Sequence, residues 1–179
     1  MSGTLGDARM ALEARRGKLI LPPGLLAKAT ARMERPTPRV ALGQTLRGLA
    51  TAAIDLSDGL AGDLGHILKA SGVGATIKTT FAMTLIAESA QRMVAPEHFD
   101  ADNPPENLLE YVFSGGDDYE LAFTAPRSAR QAITDAAKHS GTAVTHIGRI
   151  DSEPGFRLTA TDGSQREQTF LSFDHFAAG

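Results

Sequence analysis

Apolar residues recur at helical spacing through the first quarter of the chain. Leu5, Ala8, Leu12 and Ala14 stand among polar neighbours over residues 5–16, which predicts a weakly amphipathic helix ended by Gly17. Leu25, Leu26, Ala29 and Met33 share one face over residues 24–34, a second helix. Pro36-Thr37-Pro38 stops it, because proline lacks an amide donor and restricts its predecessor. Val40 to Leu46 reads as a short third helix. The period then changes. Ala50 to Leu56 is small and apolar until Asp55, the first clear strand. Over residues 58–70 the helical period returns, with Leu60, Leu64, Ile67 and Leu68 on one stripe.

After the loop Ser71-Gly72-Val73-Gly74, Ala75 to Thr80 alternates as a strand, and residues 84–92 are expected to be helical. A polar loop from His98 to Pro105 leads into a short helix at 106–112. Tyr119 to Ala125 is a strand ended by Pro126, and 128–139 a helix with Ala129, Ile133, Ala136 and Ala137 inward. Ala143 to Ile150 and Phe156 to Ala160 complete the strands. Interleaved strands and helices predict an α/β or α+β fold, a sheet covered by helices. The pairing is expected to be mixed, because several strands are short and half polar. The whole chain, 1–179, is expected to be a single domain: a helical lead-in at 1–49, a sheet-and-helix core at 50–163, and an aromatic tail at 164–179 containing Phe170, Phe173, His175 and Phe176.

Composition narrows the function classes. With 42% hydrophobic and 22% charged residues the chain is an ordinary globular one, and disorder is excluded as a reading of the whole. A net charge of −3 leaves no electrostatic footprint for nucleic acid. No apolar run approaches the ~20 residues of a membrane span. The start has neither the basic nor the apolar stretch of a signal peptide, so a cytoplasmic protein is expected. The absence of cysteine excludes a disulfide scaffold, a thiolate zinc site and a cysteine nucleophile. Eighteen glycines and no tryptophan place the unusual residues in backbone geometry.

Candidate chemistry concentrates at Asp55-Leu56-Ser57-Asp58-Gly59. Asp55 ends an apolar strand at its carboxyl end, where sheets with helical crossovers bind ligands. Ser57 is placed to cap the following helix and Asp58 to lie in its first turn. Capping alone would account for both. Gly59, Gly62 and Gly65 follow at intervals of three, each costing a helix roughly 1 kcal/mol, which suggests a close approach by another backbone or a ligand. A helix start attracts phosphate, but two aspartates repel it. A divalent cation resolves the conflict. Magnesium in particular uses one or two carboxylates, several waters and the substrate's phosphates. Asp63 and His66 are expected to be solvated or to stand behind the metal ligands.

These residues carry a resemblance. Ala53-Ile54-Asp55-Leu56-Ser57-Asp58-Gly59-Leu60-Ala61-Gly62-Asp63-Leu64 resembles the second-half signature of the thiamine-monophosphate kinase family. Four other segments agree, in the family's order: Gly3-Thr4-Leu5-Gly6-Asp7-Ala8, Arg35-Pro36-Thr37-Pro38-Arg39-Val40-Ala41-Leu42-Gly43, Ser114-Gly115-Gly116-Asp117-Asp118-Tyr119-Glu120-Leu121, and Phe173-Asp174-His175-Phe176. The resemblance implies a C-terminal α/β domain of the aminoimidazole-ribonucleotide synthetase superfamily. It implies transfer of the γ-phosphoryl group of ATP to thiamine monophosphate with Mg2+, commonly in a homodimer. It makes Asp55 and Asp58 magnesium ligands, Ser57 an ATP contact, and Asp117 and Phe173 substrate contacts. Aspartate at 117 is one methylene shorter than the glutamate common at that family position. A carboxylate there suits the cationic thiazolium, and Phe173 suits stacking on it. A tight turn would explain Gly115 to Asp118 equally, and an aromatic clamp would explain Phe173.

The family's N-terminal ATP-binding domain is expected to be absent, because only Met1-Ser2 precede the Gly3 motif and residues 1–50 hold no phosphate loop. The chain is therefore read as roughly the second half of the enzyme, inactive alone. The alternatives are a non-catalytic fragment that binds metal or thiamine phosphate, and a different ATP-dependent enzyme of the same superfamily. The tail Phe173-Asp174-His175-Phe176 argues against the latter.

Overall fold

The computed structural model describes residues 1–87, 100–166 and 170. Its elements are α1 (Asp7–Arg15), α2 (Pro23–Glu34), α3 (Val40–Thr45), β1 (Ala52–Asp55), α4 (Leu60–Ser71), β2 (Gly74–Lys78), α5 (Thr79–Met83), α6 (Glu106–Phe113), β3 (Leu121–Thr124), α7 (Arg130–Ser140), β4 (Gly148–Asp151), β5 (Gly155–Thr159) and β6 (Gln165–Arg166). Strands and helices alternate as the periodicity predicts, but the strands form two sheets. β1 and β3 make an antiparallel ribbon, with Ala52 opposite Thr124 and Asp55 opposite Leu121. The second sheet runs β4-β2-β5-β6. Its pairing is mixed: β2 is antiparallel to β4 and parallel to β5.

Helix α4 contacts both sheets, touching β1 and β3 on one side and β5 on the other, and also α6. Leu60, Leu64 and Leu68 are buried along it, each worth about 1.5–3 kcal/mol relative to exposure. Gly72 ends the helix in the left-handed conformation. Phe113, at the end of α6, is fully buried. Its ring stacks on Phe170 at 4.5 Å and meets Phe156 edge-on at 5.8 Å. An aromatic contact therefore ties the C-terminal tail to the core, through Phe170. Phe173, His175 and Phe176 lie outside the described residues.

Several boundaries differ from the expectation, each for a hydrogen-bonding reason. The first strand stops at Asp55 because the Leu56 amide and carbonyl pair with Glu120 and Tyr119 at 2.8 and 3.0 Å. The stretch from Ala143 yields a ladder only from Gly148, because Ala143 and Thr145 pair with Gly3 and Met1. Val144 forms an isolated bridge with Ser2. A helix occupies Thr79–Met83, and residues 84–87 of the helix expected over 84–92 are not helical. Leu85 and Ala87 bond the backbone of Leu5 instead, and residues 88–92 lie outside the described residues.

Candidate functional site

Asp55, Ser57 and Asp58 lie on the connection from β1 to α4. Asp55 is exposed at the carboxyl end of β1, and Ser57 and Asp58 are half-buried. Neither Asp55 nor Asp58 has a cationic partner among the described residues. The Ser57 hydroxyl does not cap α4. It donates to Asp58 Oδ1 at 3.1 Å. The cap position falls on Gly59, at φ 105°. A Cβ there would sit 2.8 Å from the Phe113 carbonyl oxygen and from Ser114 Cα, so this glycine is required by close backbone contact. Gly65 faces open space, so the expected crowding along the glycine row is found at its first member only among those two.

Asp63 is not solvated. Its side chain is buried, and its Oδ2 accepts the amides of Ser57 and Asp58, each at 2.9 Å. It holds the acidic connection in shape from inside the helix. Burial pushes its pKa up, against the pull of those two amides, and the neighbouring Asp58 and Asp55 carboxylates push the same way. Asp63 thus feels both of the other acids. His66 is exposed, as expected.

The glycine-rich turn at 114–120 lies directly along this connection. The Asp117 amide donates to the Ser57 carbonyl at 2.9 Å and the Tyr119 amide to the Leu56 carbonyl at 3.0 Å. Along the turn the side chains alternate: Asp117 and Tyr119 are exposed, Asp118 and Glu120 buried. Asp117 and Tyr119 both have positive φ, 59° and 50°.

Each inward acid binds another of the sequence motifs. Asp118 accepts the Gly6 amide at 2.8 Å and the Ala8 amide at 3.5 Å, at the start of α1. Burial pushes its pKa up to about 7, while the Gly6 amide, Arg32 and the Ala8 amide pull it down and Asp7 adds to the rise. Glu120 receives a two-point clasp from Arg39, Nε to Oε2 at 2.8 Å and Nη2 to Oε1 at 2.6 Å. It also accepts Arg32 Nη2 at 3.1 Å and the Ser2 hydroxyl at 2.6 Å. Arg32 continues to the Thr4 hydroxyl at 2.5 Å and to Asp7 at 3.5 Å. Gly3 has no room for a side chain, since a Cβ would fall 2.0 Å from Glu120 Oε1. Four motifs far apart in sequence therefore meet around two buried carboxylates. Arg32, Asp118 and Glu120 were not among the expected site residues, although Arg39 lies within the proline-bracketed motif.

Asp118 gives a testable pH dependence. Its folded pKa lies above the ordinary carboxylate value, so between about pH 4 and 7 the folded protein holds a proton the unfolded chain has lost. Stability then falls as pH rises through that window and levels off above about 7. Asp118→Asn is expected to lose this contribution, so its stability falls less, or rises more, with pH than the parent's. Asp63 adds the same sign in both proteins, and the Met1 amine and His146, whose pKa values burial lowers, add the opposite sign in both. Urea unfolding at pH 5, 6, 7 and 8 checks it; equal slopes in both proteins would exclude Asp118 as the source.

Beside the acidic connection is a cavity of about 350 Å³, within the range of small-molecule sites. Pro36, Pro38, Val40, Gly43, Tyr119 and Leu121 line it together with Arg39 and Asp55, and the surface these residues turn toward it is almost wholly apolar.

An antiparallel ribbon and a mixed four-stranded sheet packed with helices define an α/β domain. The family model described as AIR synthase related protein, C-terminal domain, matches residues 6–161, and the chain belongs to that family. Thiamine-monophosphate kinase of Escherichia coli O157:H7 is 37% identical over 178 residues, 99% of this chain and 51% of its own length. The crystal structure of thiamine-monophosphate kinase from Stenotrophomonas maltophilia K279a superposes with a TM-score of 0.74 at 37% identity, covering 92% of this chain and 49% of that one. AaThiL complexed with AMPPCP and TMP gives 0.68 at 29% identity, over 98% of this chain and 50% of that one. The chain spans about half the length of the curated relatives it matches.

Proposed function

We propose that this chain supplies the C-terminal half of an enzyme that phosphorylates thiamine monophosphate to thiamine diphosphate at the expense of ATP. One observation carries the reading: the acidic connection Asp55 to Asp58 is hydrogen-bonded to the turn that presents Asp117. Groups suited to a metal–phosphate complex and to a cationic heterocycle thus stand side by side. The names of the relatives support the same activity.

In this reading Asp55 and Asp58 hold the metal, Ser57 contacts ATP, and Asp117 and Phe173 contact the acceptor. A phosphate oxygen of thiamine monophosphate attacks the γ-phosphorus, the bond from that phosphorus to the β-phosphate bridging oxygen breaks, and ADP leaves. Such in-line transfer depends on positioning and charge neutralisation rather than on a protein nucleophile. The donor set fits magnesium. Among the described residues no three His, Cys, Asp or Glu side chains group into a cage, and magnesium takes one or two carboxylates plus water and phosphate oxygens. When bound it would neutralise the charge between two anionic reactants. Asp63 fixes the connection that carries both ligands, and the 114–120 turn fixes Asp117 against it. Magnesium as the metal, a homodimer and a cytoplasmic location rest on the family resemblance. No helix among the described residues is long and apolar enough to cross a membrane.

Calorimetry with thiamine monophosphate and with AMPPCP, each with and without magnesium, tests the reading. The purified 179-residue chain is expected to bind at least one of them in a magnesium-dependent way, and to give no measurable turnover by itself because half a nucleotide site is insufficient. A folded chain that binds neither ligand would overturn the proposal.

A further inference from the structure

Tyr119 is a tyrosine where the backbone favours glycine or asparagine. Its φ of 50° lies in the left-handed region, which costs any residue with a branched or bulky side chain. The backbone is held there by the Tyr119 amide, which donates to the Leu56 carbonyl at 3.0 Å, and by the anchoring of its neighbours Asp118 and Glu120 to buried partners. Those contacts hold the backbone but do not explain the side chain. The tyrosine ring is 41% exposed, and its hydroxyl has no hydrogen-bond partner among the described residues. Packing and hydrogen bonding therefore do not account for keeping an aromatic at a strained position. Strain of this kind is retained where a site uses the side chain it imposes.

The cavity supplies the use. Tyr119 lines it together with Asp55 and Arg39. A flat ring at the wall of an almost wholly apolar hollow, beside the carboxylate-bearing Asp55, suits a flat heteroaromatic cation. The ring face attracts the cation and stacks on the heterocycle. We propose that Tyr119 is an acceptor-binding residue that lies against the cationic ring of thiamine monophosphate, and that this contact is what keeps tyrosine at a left-handed position. The inference rests on the kinase reading above.

The variants Tyr119→Asn and Tyr119→Phe separate a binding contribution from a structural one. Asparagine tolerates left-handed backbone, so Tyr119→Asn is expected to melt at the same temperature as the parent or higher. Its affinity for thiamine monophosphate is expected to fall about tenfold, with AMPPCP affinity changed less than about twofold. Tyr119→Phe keeps the ring and is expected to stay within about threefold for both ligands. Unchanged thiamine monophosphate binding in Tyr119→Asn would overturn the inference, as would a loss confined to AMPPCP or a fall in melting temperature that accompanies the loss of binding. Failure of the parent chain to bind either ligand would instead remove the kinase reading itself, so the two failures are distinguishable.

Discussion

Glu120→Ala is expected to destabilise the domain by about 3 kcal/mol, the low end of the range for breaking a buried ion pair. The glutamate is 1% exposed and neutralises two guanidiniums. Its loss strands the positive charge of Arg39 and Arg32 and the hydroxyl of Ser2 at the junction of four sequence motifs. The low end applies because the two arginines remain 21% and 25% exposed, so water recovers part of the lost solvation. For a chain of this size the change corresponds to a fall in melting temperature of roughly 6–12 °C. Glu120→Gln keeps the shape and one acceptor and is expected to cost less than the alanine variant. Urea denaturation of the two variants beside the parent measures both effects. A cost below about 1 kcal/mol for alanine would mean that the arginines, not the glutamate, hold the motifs together.

The second large effect falls on ligand binding rather than on stability. Asp58→Asn and Asp55→Asn conserve shape while removing one charge each. If these carboxylates carry the metal, magnesium-dependent affinity for AMPPCP is expected to fall by at least about 100-fold, since even residues that merely support a ligand cost 10- to 100-fold. Neither variant is expected to lose stability. Both acids raise the pKa of Asp63 through like-charge repulsion, so removing one relieves the buried carboxylate. The check is calorimetry in magnesium against calorimetry in chelator. Binding by the double variant equal to that of the parent would take the metal away from this connection.

What was legible in the sequence follows from how far its causes lie along the chain. The stripe Leu60, Leu64, Ile67 and Leu68 is set by the helix's own period, and the helix forms where that period places it. Asp63 occupies the same stripe, three residues after Leu60. Its position indicated burial, although its charge suggested solvent. Glu120 has a comparable signal, because it shares the parity of buried Asp118 and Ala122. Nothing local to Arg32 announces its partners. Its guanidinium reaches Glu120, 88 residues away in sequence. The mixed pairing of the four-stranded sheet was readable from short, half-polar strands. The separate β1–β3 ribbon was not, because which strand pairs with which depends on where the chain returns. The acidic connection was found as a group, but its shape was misassigned. Ser57 was expected to cap the helix, and instead Asp63 folds back on the turn and Gly59 starts the helix against Phe113.

The sheet order also sets a timetable for synthesis. Strand β2 lies between β4 and β5, both made from residues beyond 147. Helix α4 packs on β5 as well as on β1. Pairings over such separations are slow, because a long loop must close before any contact rewards it. A ribosome that has released this domain only as far as residue 120 has therefore released Leu60, Leu64, Leu68 and Phe113 without β3 and β5, which pack on that helix and that ring. Nascent chains of this domain should engage chaperones until β5 emerges.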